Sequence, residues 1–192
     1  MRAAAPKEPD EDRQLVDRAR GGDASAFRAL FDRHAPAVRR FLRDLSRDDA
    51  SADEAAQETF VRAHAGLGAL RDGDRLRPWL LGIGRRVIME DWRRLRRPGR
   101  FEVEVVADVD IEPVPSPESA LIGAEASRVF RAALGRLAPD RRAILLLQLD
   151  HGLSYDEIAA LMTVAPARVR NELHRAREEL RAFLAPYFEN EP

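Results

Sequence analysis

The chain has 192 residues, of which 45% are hydrophobic and 34% charged, and a formal net charge of −1, which suits one or two small domains. It contains no cysteine, which excludes disulfides, thiolate zinc sites and cysteine nucleophiles, and its four histidines lack the spacing of metal ligands. Because neither a signal peptide nor an apolar run of the roughly 20 residues that span a bilayer is visible, we expect a cytoplasmic protein without membrane insertion. We also expect no cofactor and no metal.

The N-terminal residues predict a tail followed by a short helix. Residues 1–12 are polar and contain prolines, so we expect them to form a disordered tail. A helix is predicted to start near Glu11–Gln14 and to end at the glycine pair 21–22. Asp23, which follows the glycines, is a good N-cap for a second helix.

Two longer helices are predicted next. The second helix carries apolar residues at helical spacing as far as Leu45, and Pro36 is expected to kink or divide it. A third helix is predicted to begin at Ser51 or Asp53 and to run through His64.

The next part of the chain combines a loop, a helix and much of the positive charge. Glycines and Pro78 indicate a loop that begins at Gly66, and a long helix is predicted over 79–97. Residues 66–100 carry ten basic and four acidic side chains, which suits contact with phosphate. The sequence Gly82-Ile83-Gly84 hints at a nucleotide-binding enzyme, but it lacks a third glycine and follows no strand, so an enzymatic function is disfavoured.

Residues 98–118 contain four prolines and show no helical periodicity. Residues 101–127 carry seven acidic side chains and no basic one, so DNA would repel them. We therefore expect an extended acidic linker, with a short strand at 101–106 as the alternative. Helical signals return at Glu118 or Ser119, and a leucine-rich helix follows.

The segment 153–180 has the pattern of a helix, a tight turn and a second helix. Ser154 and Glu157 have the spacing of a capping box, and Pro166 suits the first turn of the second helix. One apolar stripe of that helix consists of Val169, Leu173, Ala176 and Leu180. The opposite face carries Arg, Asn and His side chains, the types that contact bases and phosphates in a DNA major groove.

The alternative for the same segment is an amphipathic helical hairpin whose charged second helix faces solvent and binds no DNA. Many helix-turn-helix units have glycine where this chain has Thr163, because the turn needs a positive φ that threonine disfavours.

Together the elements predict an all-α protein of two small helical domains joined by a flexible acidic linker. The C-terminal domain is predicted to be a helix-turn-helix domain. The predicted bounds are 1–12 for the tail, 13–97 for the first domain, 98–118 for the linker and 119–185 for the second domain.

Five stretches resemble, in order and spacing, the extracytoplasmic-function (ECF) sigma factors of the sigma-70 family. They are GDASAFRALFDRHAPAVRRFL, ADEAAQETFVRAH, LRPWLLGIGRRVIMEDWRRLRR, LGRLAPDRRAILLLQLDHGLSYDEIAALM and VRNELHRAREEL. The resemblance implies a sigma factor that binds the RNA polymerase core at the clamp of its largest subunit and the flap of the second largest. Such a factor directs initiation by recognising the −10 and −35 promoter elements and aids promoter opening.

The resemblance also implies roles for individual residues. Polymerase would be bound by Asp53, Glu54, Gln57, Glu58 and Arg62. The −10 element would be bound by Arg71, Arg75, Arg77, Trp79, Arg85, Arg86, Arg93, Arg94, Arg96 and Arg97. The −35 element would be bound by Arg168, Arg170, Asn171, His174 and Arg175. An anti-sigma factor is a further expected partner.

The chain departs from the usual pattern of that family at several of these places. Arg86 replaces a common asparagine, Leu76 and Pro78 stand near a usual Phe and Thr, and Glu172 replaces a residue that is usually basic or polar. These departures leave an unusual promoter preference open. The alternative function is a stand-alone helix-turn-helix regulator that binds duplex DNA without polymerase, although no strand-rich receiver pattern precedes the helices.

Overall fold

A computed structural model describes residues 9–46, 48–95 and 119–188 of the chain. Within these ranges the regular structure is entirely helical, which confirms the predicted all-α class. The helices are α1 (Pro9–Arg20), α2 (Ala24–Leu45), α3 (Asp49–Gly66), α4 (Leu76–Leu95), α5 (Ser119–Arg136), α6 (Pro139–Leu149), α7 (Tyr155–Met162) and α8 (Pro166–Phe188). The predicted linker 98–118 lies outside the described residues.

Helix α1 corrects the end of the predicted tail, because residues 9–12 are already helical, while residues 1–8 lie outside the described residues. Tertiary contacts explain the earlier start. Asp12 accepts a hydrogen bond from Arg33 and contacts His34 of α2 at 2.8 Å. Burial acts to raise the pKa of Asp12, but the bonds and charges of His34 and Arg33 outweigh it and hold the pKa below its usual value. The acidic side chains at positions 11 and 12 therefore form ion pairs with α2.

Helix α2 continues through Pro36, so the proline does not divide the helix, which was one of its two expected effects. Asp23 caps its N-terminus as predicted, accepting from the backbone N–H groups of Ser25 and Ala26. The buried side of the helix includes Val38, Phe41 and Leu42, each at most 1% exposed. These contacts supply a packing energy that holds the proline-containing turn in place.

The predicted loop between α3 and α4 is shorter than expected. Two 3-10 turns occupy Leu67–Ala69 and Gly73–Arg75, and α4 begins directly afterwards at Leu76. Pro78 is the third residue of α4, a position where its missing N–H costs no helical hydrogen bond. Proline here marks the first turn of a helix and not the loop before it.

The first helical group, α1 to α4, packs around α2. Helix α3 lies against both α2 and α4, and α1 covers another side of α2. Gly84 of α4 lets these helices approach closely, since an added Cβ would stand 3.1 Å from Leu42 and 3.3 Å from Thr59. The glycines that hinted at a nucleotide loop therefore serve helix packing.

The second helical group, α5 to α8, encloses a leucine-rich helix. Residues 143–147 of α6 are all buried, and α8 packs across α5, α6 and α7. Ile158 of α7 and Val169 of α8 are both completely buried in this core. Their burial contributes roughly 1.5–3 kcal/mol for each large apolar side chain.

The two groups also pack directly against each other. Helix α2 contacts α6, and α4 contacts α7. The rings of Phe41 and His151 are nearly perpendicular with centroids 5.4 Å apart, and an added Cβ on Gly82 would lie 3.3 Å from Cγ of Leu161. Arg142, only 6% exposed, donates to the carbonyl oxygen of Gly135 at 2.7 Å and to that of Leu45 at 3.5 Å. One continuous apolar core therefore spans both groups.

Candidate nucleic-acid interface

The α7–α8 unit has the geometry of a helix-turn-helix. Ser154 and Glu157 form the predicted capping box, with the Glu157 carboxylate 2.8 Å from the Ser154 backbone nitrogen. The Ser154 bonds hold the pKa of Glu157 below its usual value. Thr163 ends α7 with φ 57° and ψ 48°, the left-handed conformation that glycine usually supplies. The turn is therefore built in the usual way despite the threonine.

Helix α8 buries the predicted apolar stripe and exposes the opposite face. Val169, Leu173, Ala176 and Leu180 are each at most 8% exposed. The −35 candidates are all exposed on this helix: Arg168, Arg170, Asn171, His174 and Arg175. The structure thus brings the five candidates together on one accessible helix, as a DNA-reading surface requires.

Glu172 does not belong to that exposed face. It is 19% exposed at the side chain and accepts a hydrogen bond from Arg141 Nε of α6 at 2.8 Å. A second nitrogen of Arg141 binds Glu179, two turns further along α8. The departure at Glu172 is therefore a contact between two helices of the same group, and sequence reasoning missed Arg141 because its partners lie 31 and 38 residues away.

The α4 arginines fall into two sets. Exposed arginines on α4 and the turn before it are Arg71, Arg75, Arg86, Arg93 and Arg94. Arg86 and Arg93 lie seven residues apart, so they share one side of the helix. Arg77 and Arg85 are instead partly buried. Arg96 and Arg97 lie outside the described residues.

The two partly buried arginines contact the second helical group. Arg77 donates a hydrogen bond to Nδ1 of His151 at 3.0 Å, and Arg85 is paired with Asp140 at 2.5 Å. Burial, and then the nearby Arg40 charge, lowers the pKa of Arg77. Burial also lowers the pKa of His151 to about 4, helped by Arg77 and Arg40. His151 is therefore neutral at pH 7 and accepts the hydrogen bond from a charged Arg77.

Trp79, a −10 candidate, and Trp92, the other tryptophan of the chain, are both partly buried against the core. The ring of Trp79 lies 3.5 Å from the position of a Cβ on Gly66. Packing on the first helical group thus accounts for part of the surface of Trp79, which agrees with a mainly structural role.

The candidate polymerase-binding residues lie along α3. Glu54 and Gln57 are exposed, whereas Asp53 is held by Arg39 of α2 through two hydrogen bonds of 2.6 and 2.5 Å. The bond from Arg39 lowers the pKa of Asp53. Arg62 donates both to Glu58 of α3 and to Glu90 of α4.

Val61 is a residue of this surface that sequence reasoning missed. It is 64% exposed and lies one turn or two from Glu54, Gln57 and Glu58 on the same side of α3. Val61 therefore adds an apolar group to the exposed side of α3. The sequence signal that could have identified Val61 is its helical spacing from Glu54, Gln57 and Glu58.

The described part of the chain holds no group of three or more His, Asp or Glu side chains that could bind a metal. None of its helices is long and apolar enough to cross a bilayer.

Two family models match the chain. Residues 30–98 match sigma-70 region 2, and residues 127–180 match sigma-70 region 4. The chain is 33% identical over 169 residues to the RNA polymerase sigma factor CarQ of Myxococcus xanthus, covering 88% of this chain and 95% of that protein. It is 34% identical over 149 residues to the ECF RNA polymerase sigma factor EcfG of Rhodopseudomonas palustris, covering 78% and 80%.

Two solved structures share the fold. CnrH in complex with the cytosolic domain of CnrY is 27% identical with a TM-score of 0.68, over 92% of this chain and 99% of that one. The sigma factor RpoE of Bartonella quintana, in complex with the anti-sigma factor NepR, is 28% identical with a TM-score of 0.69, over 83% and 96%.

Proposed function

The chain belongs to the sigma-70 family, as an ECF sigma factor, and from this premise we propose a role for each of its surfaces. As a sigma factor it binds RNA polymerase core and directs initiation at specific promoters. The observation that carries the assignment of surfaces is the exposed face of α8, which presents Arg168, Asn171 and His174 together after a helix-turn-helix turn. We further infer that the protein acts in the cytoplasm and without catalytic chemistry of its own.

The exposed face of α8 is proposed to read the −35 element in the major groove. Asn171 lies near the centre of that face and suits the edge of an adenine, while arginines suit guanine or phosphate. Arg168 and Arg175 lie on one side of Asn171, and Arg170 lies on the other. His174 is 3.3 Å from Glu178, so its ring has a local partner that orients it.

The first helical group is proposed to bind the −10 element. Arg86, Arg93 and Arg94 are exposed on α4 and suit the phosphates of the promoter. Arg77 and Arg85 would have to leave His151 and Asp140 before they could contact DNA. Promoter binding by these two arginines therefore requires the two helical groups to separate.

The exposed side of α3 is proposed to bind the polymerase clamp. Glu54 and Gln57 supply the polar rim, and Val61 supplies an apolar centre. This composition fits an interface that combines electrostatic steering with buried apolar contact. The second helical group is proposed to bind the flap.

Regulation by an anti-sigma factor is proposed from the relatives. The similar sigma factor RpoE of Bartonella quintana is bound to the anti-sigma factor NepR in its crystals. The domain bounds 13–97 and 119–185, with an acidic linker between them, are likewise part of the proposal.

One transcription experiment separates the proposed DNA surfaces. Run-off transcription with core polymerase should start at a promoter that core alone ignores. Arg168→Ala or Asn171→Ala should relax the −35 preference, a loss of about 1–3 kcal/mol for each base contact. Arg86→Ala, Arg93→Ala, Arg96→Ala or Arg97→Ala should instead lower affinity for all sequences and flatten its salt dependence.

Identical behaviour of the two sets of variants would contradict the division of roles. Specific DNA binding without core polymerase would favour the stand-alone regulator instead.

A further inference from the structure

Helix α6 contacts α8 at both edges of the α8 apolar stripe. At one edge Arg141 binds Glu172 and Glu179, which are seven residues apart and so lie on one side of α8. At the other edge Gln148 of α6 accepts a hydrogen bond from Arg177 at 2.9 Å. Glu172 and Arg177 are separated by about 140° around the helix axis at 100° per residue.

These two contacts act on rotation of α8 about its own axis. Rotation in one direction lengthens the Arg141 contacts, and rotation in the other lengthens the Gln148 contact. The apolar stripe between them packs against α5, α6 and α7 and limits large rotations of α8. Hydrogen bonds have a narrower range of favourable distances and angles than apolar contacts, so the contacts of Arg141 and Gln148 oppose the small rotations that remain.

The Arg141 side of this arrangement is well shielded from water. The side chains of Arg141 and Glu172 are 16% and 19% exposed, while that of Glu179 is 48% exposed. A guanidinium that binds two carboxylates in a fixed fork is geometrically stricter than a lysine, whose single ammonium can move. This site is also more protected from salt than the exposed ion pairs elsewhere on the molecule.

The recognition face lies on the far side of α8 from the apolar stripe that the two contacts flank. Asn171 stands on the side of α8 opposite the apolar stripe, so its position depends directly on helix rotation. A rotation of about 15° moves a side-chain tip at a radius of about 6 Å by roughly 1.5 Å. This shift exceeds the roughly 0.5 Å within which a binding geometry must be held.

We propose that Arg141 and Gln148 are positioning residues that fix the rotation of α8 and thereby set the base preference at the −35 element. Neither residue needs to touch DNA. The inference rests on the proposed role of α8 in DNA reading.

The test is selection of promoters from a library randomised at the −35 element, using the full chain with core polymerase. The wild-type holoenzyme is expected to enrich one −35 sequence. Arg141→Lys keeps the charge but loses the fork, and Gln148→Ala removes the other contact. Each is expected to reduce preference for the enriched sequence about tenfold, within the range of one base contact. Arg128→Lys, on the exposed surface of α5, is the matched control and should leave the preference unchanged.

Two further readings make the test decisive. The salt dependence of binding should stay at the wild-type slope in Arg141→Lys and Gln148→Ala, because no phosphate contact is lost. A variant that loses affinity for every sequence in parallel with its melting temperature would show a merely structural role and overturn the inference. The inference is also overturned if both variants fold and prefer the same −35 sequence as the wild type, to the same degree. If the wild-type protein itself selects no −35 sequence, the proposed function of α8 fails instead.

Discussion

Thr163 shows at the scale of one residue how a turn can keep its shape with an unfavourable side chain. Its φ of 57° is left-handed, and its side chain is exposed, so nothing is gained from threonine there. We expect Thr163→Gly to raise the free energy of unfolding by about 0.5–1 kcal/mol, since the left-handed penalty exceeds the entropic cost of glycine. Urea denaturation measures the change.

The matched control is Gly152, which has a φ of 65° and open space around its Cβ position. Gly152→Ala should lower stability by about 1 kcal/mol for the same reason. If both substitutions left stability unchanged, backbone conformation would not be limiting at either turn.

His151 makes stability depend on pH. Its pKa in the folded protein is about 4, below the usual 6.5. The neutral form is favoured by folding, so the contribution is complete above pH 6.5 and is lost as pH falls toward 4. The full loss amounts to about 3 kcal/mol, from 1.36 kcal/mol per pKa unit. The free energy of unfolding, measured between pH 7 and 4.5, should fall less steeply for His151→Gln than for the wild type. Parallel curves would contradict the role of His151.

Glu172 shows which contacts of a single residue can be predicted from the sequence and which cannot. Comparison with the family pattern made it look like a departure, because that position is usually basic or polar. Only the path of α6 shows that it binds Arg141. Long-range ion pairs have no local sequence signal, whereas the capping box of Ser154 and Glu157 was predictable because its partners are three residues apart.

At the scale of helices, close packing depends on particular glycines. Gly84→Ala in α4 should destabilise the protein by about 1–3 kcal/mol, because the new Cβ would press on Leu42 and Thr59. Gly135 in α5 has no atom within 4 Å of its Cβ position. Gly135→Ala should therefore stabilise the protein by about 0.5–1 kcal/mol through helix propensity. Thermal unfolding compares the two, and effects of the same sign would argue against the packing role of Gly84.

Most helices were predictable from periodicity and capping, whereas two boundaries were not. The start of α1 at Pro9 depends on ion pairs with α2, and the start of α4 at Leu76 depends on the first-turn tolerance of Pro78. Pro36 does not divide α2, because packing of the helix overrides a single unfavourable residue. Local rules fail where tertiary contacts compensate for them.

At the scale of the whole molecule, the contact between the two helical groups could not be predicted from the sequence. Separate basic and acidic segments suggested two independent domains on a tether. The structure instead joins α2 to α6 and α4 to α7. The residues responsible, such as Arg77 and His151, are 74 positions apart and have no shared motif.

A disulfide can test whether these groups must separate. The chain has no cysteine, and a Cβ at position 82 would lie 3.3 Å from Cγ of Leu161, the place that a cysteine sulfur would take. The double variant Gly82→Cys, Leu161→Cys should support promoter-specific transcription when reduced and lose it when oxidised. The two single variants are the controls. Equal transcription by the oxidised and reduced double variant would show that separation is unnecessary.

The hydrogen bond between Arg77 and His151 has a thermodynamic consequence for every partner of this protein. If partners bind only the separated form, their apparent affinity is the intrinsic affinity multiplied by the fraction of molecules in that form. Each 1.4 kcal/mol by which the packed form is favoured therefore weakens apparent binding about tenfold. A molecule that prefers the packed form would inhibit without covering any DNA-binding residue. The dose of such an inhibitor needed in a cell is then set partly by side chains in the protein's own interior.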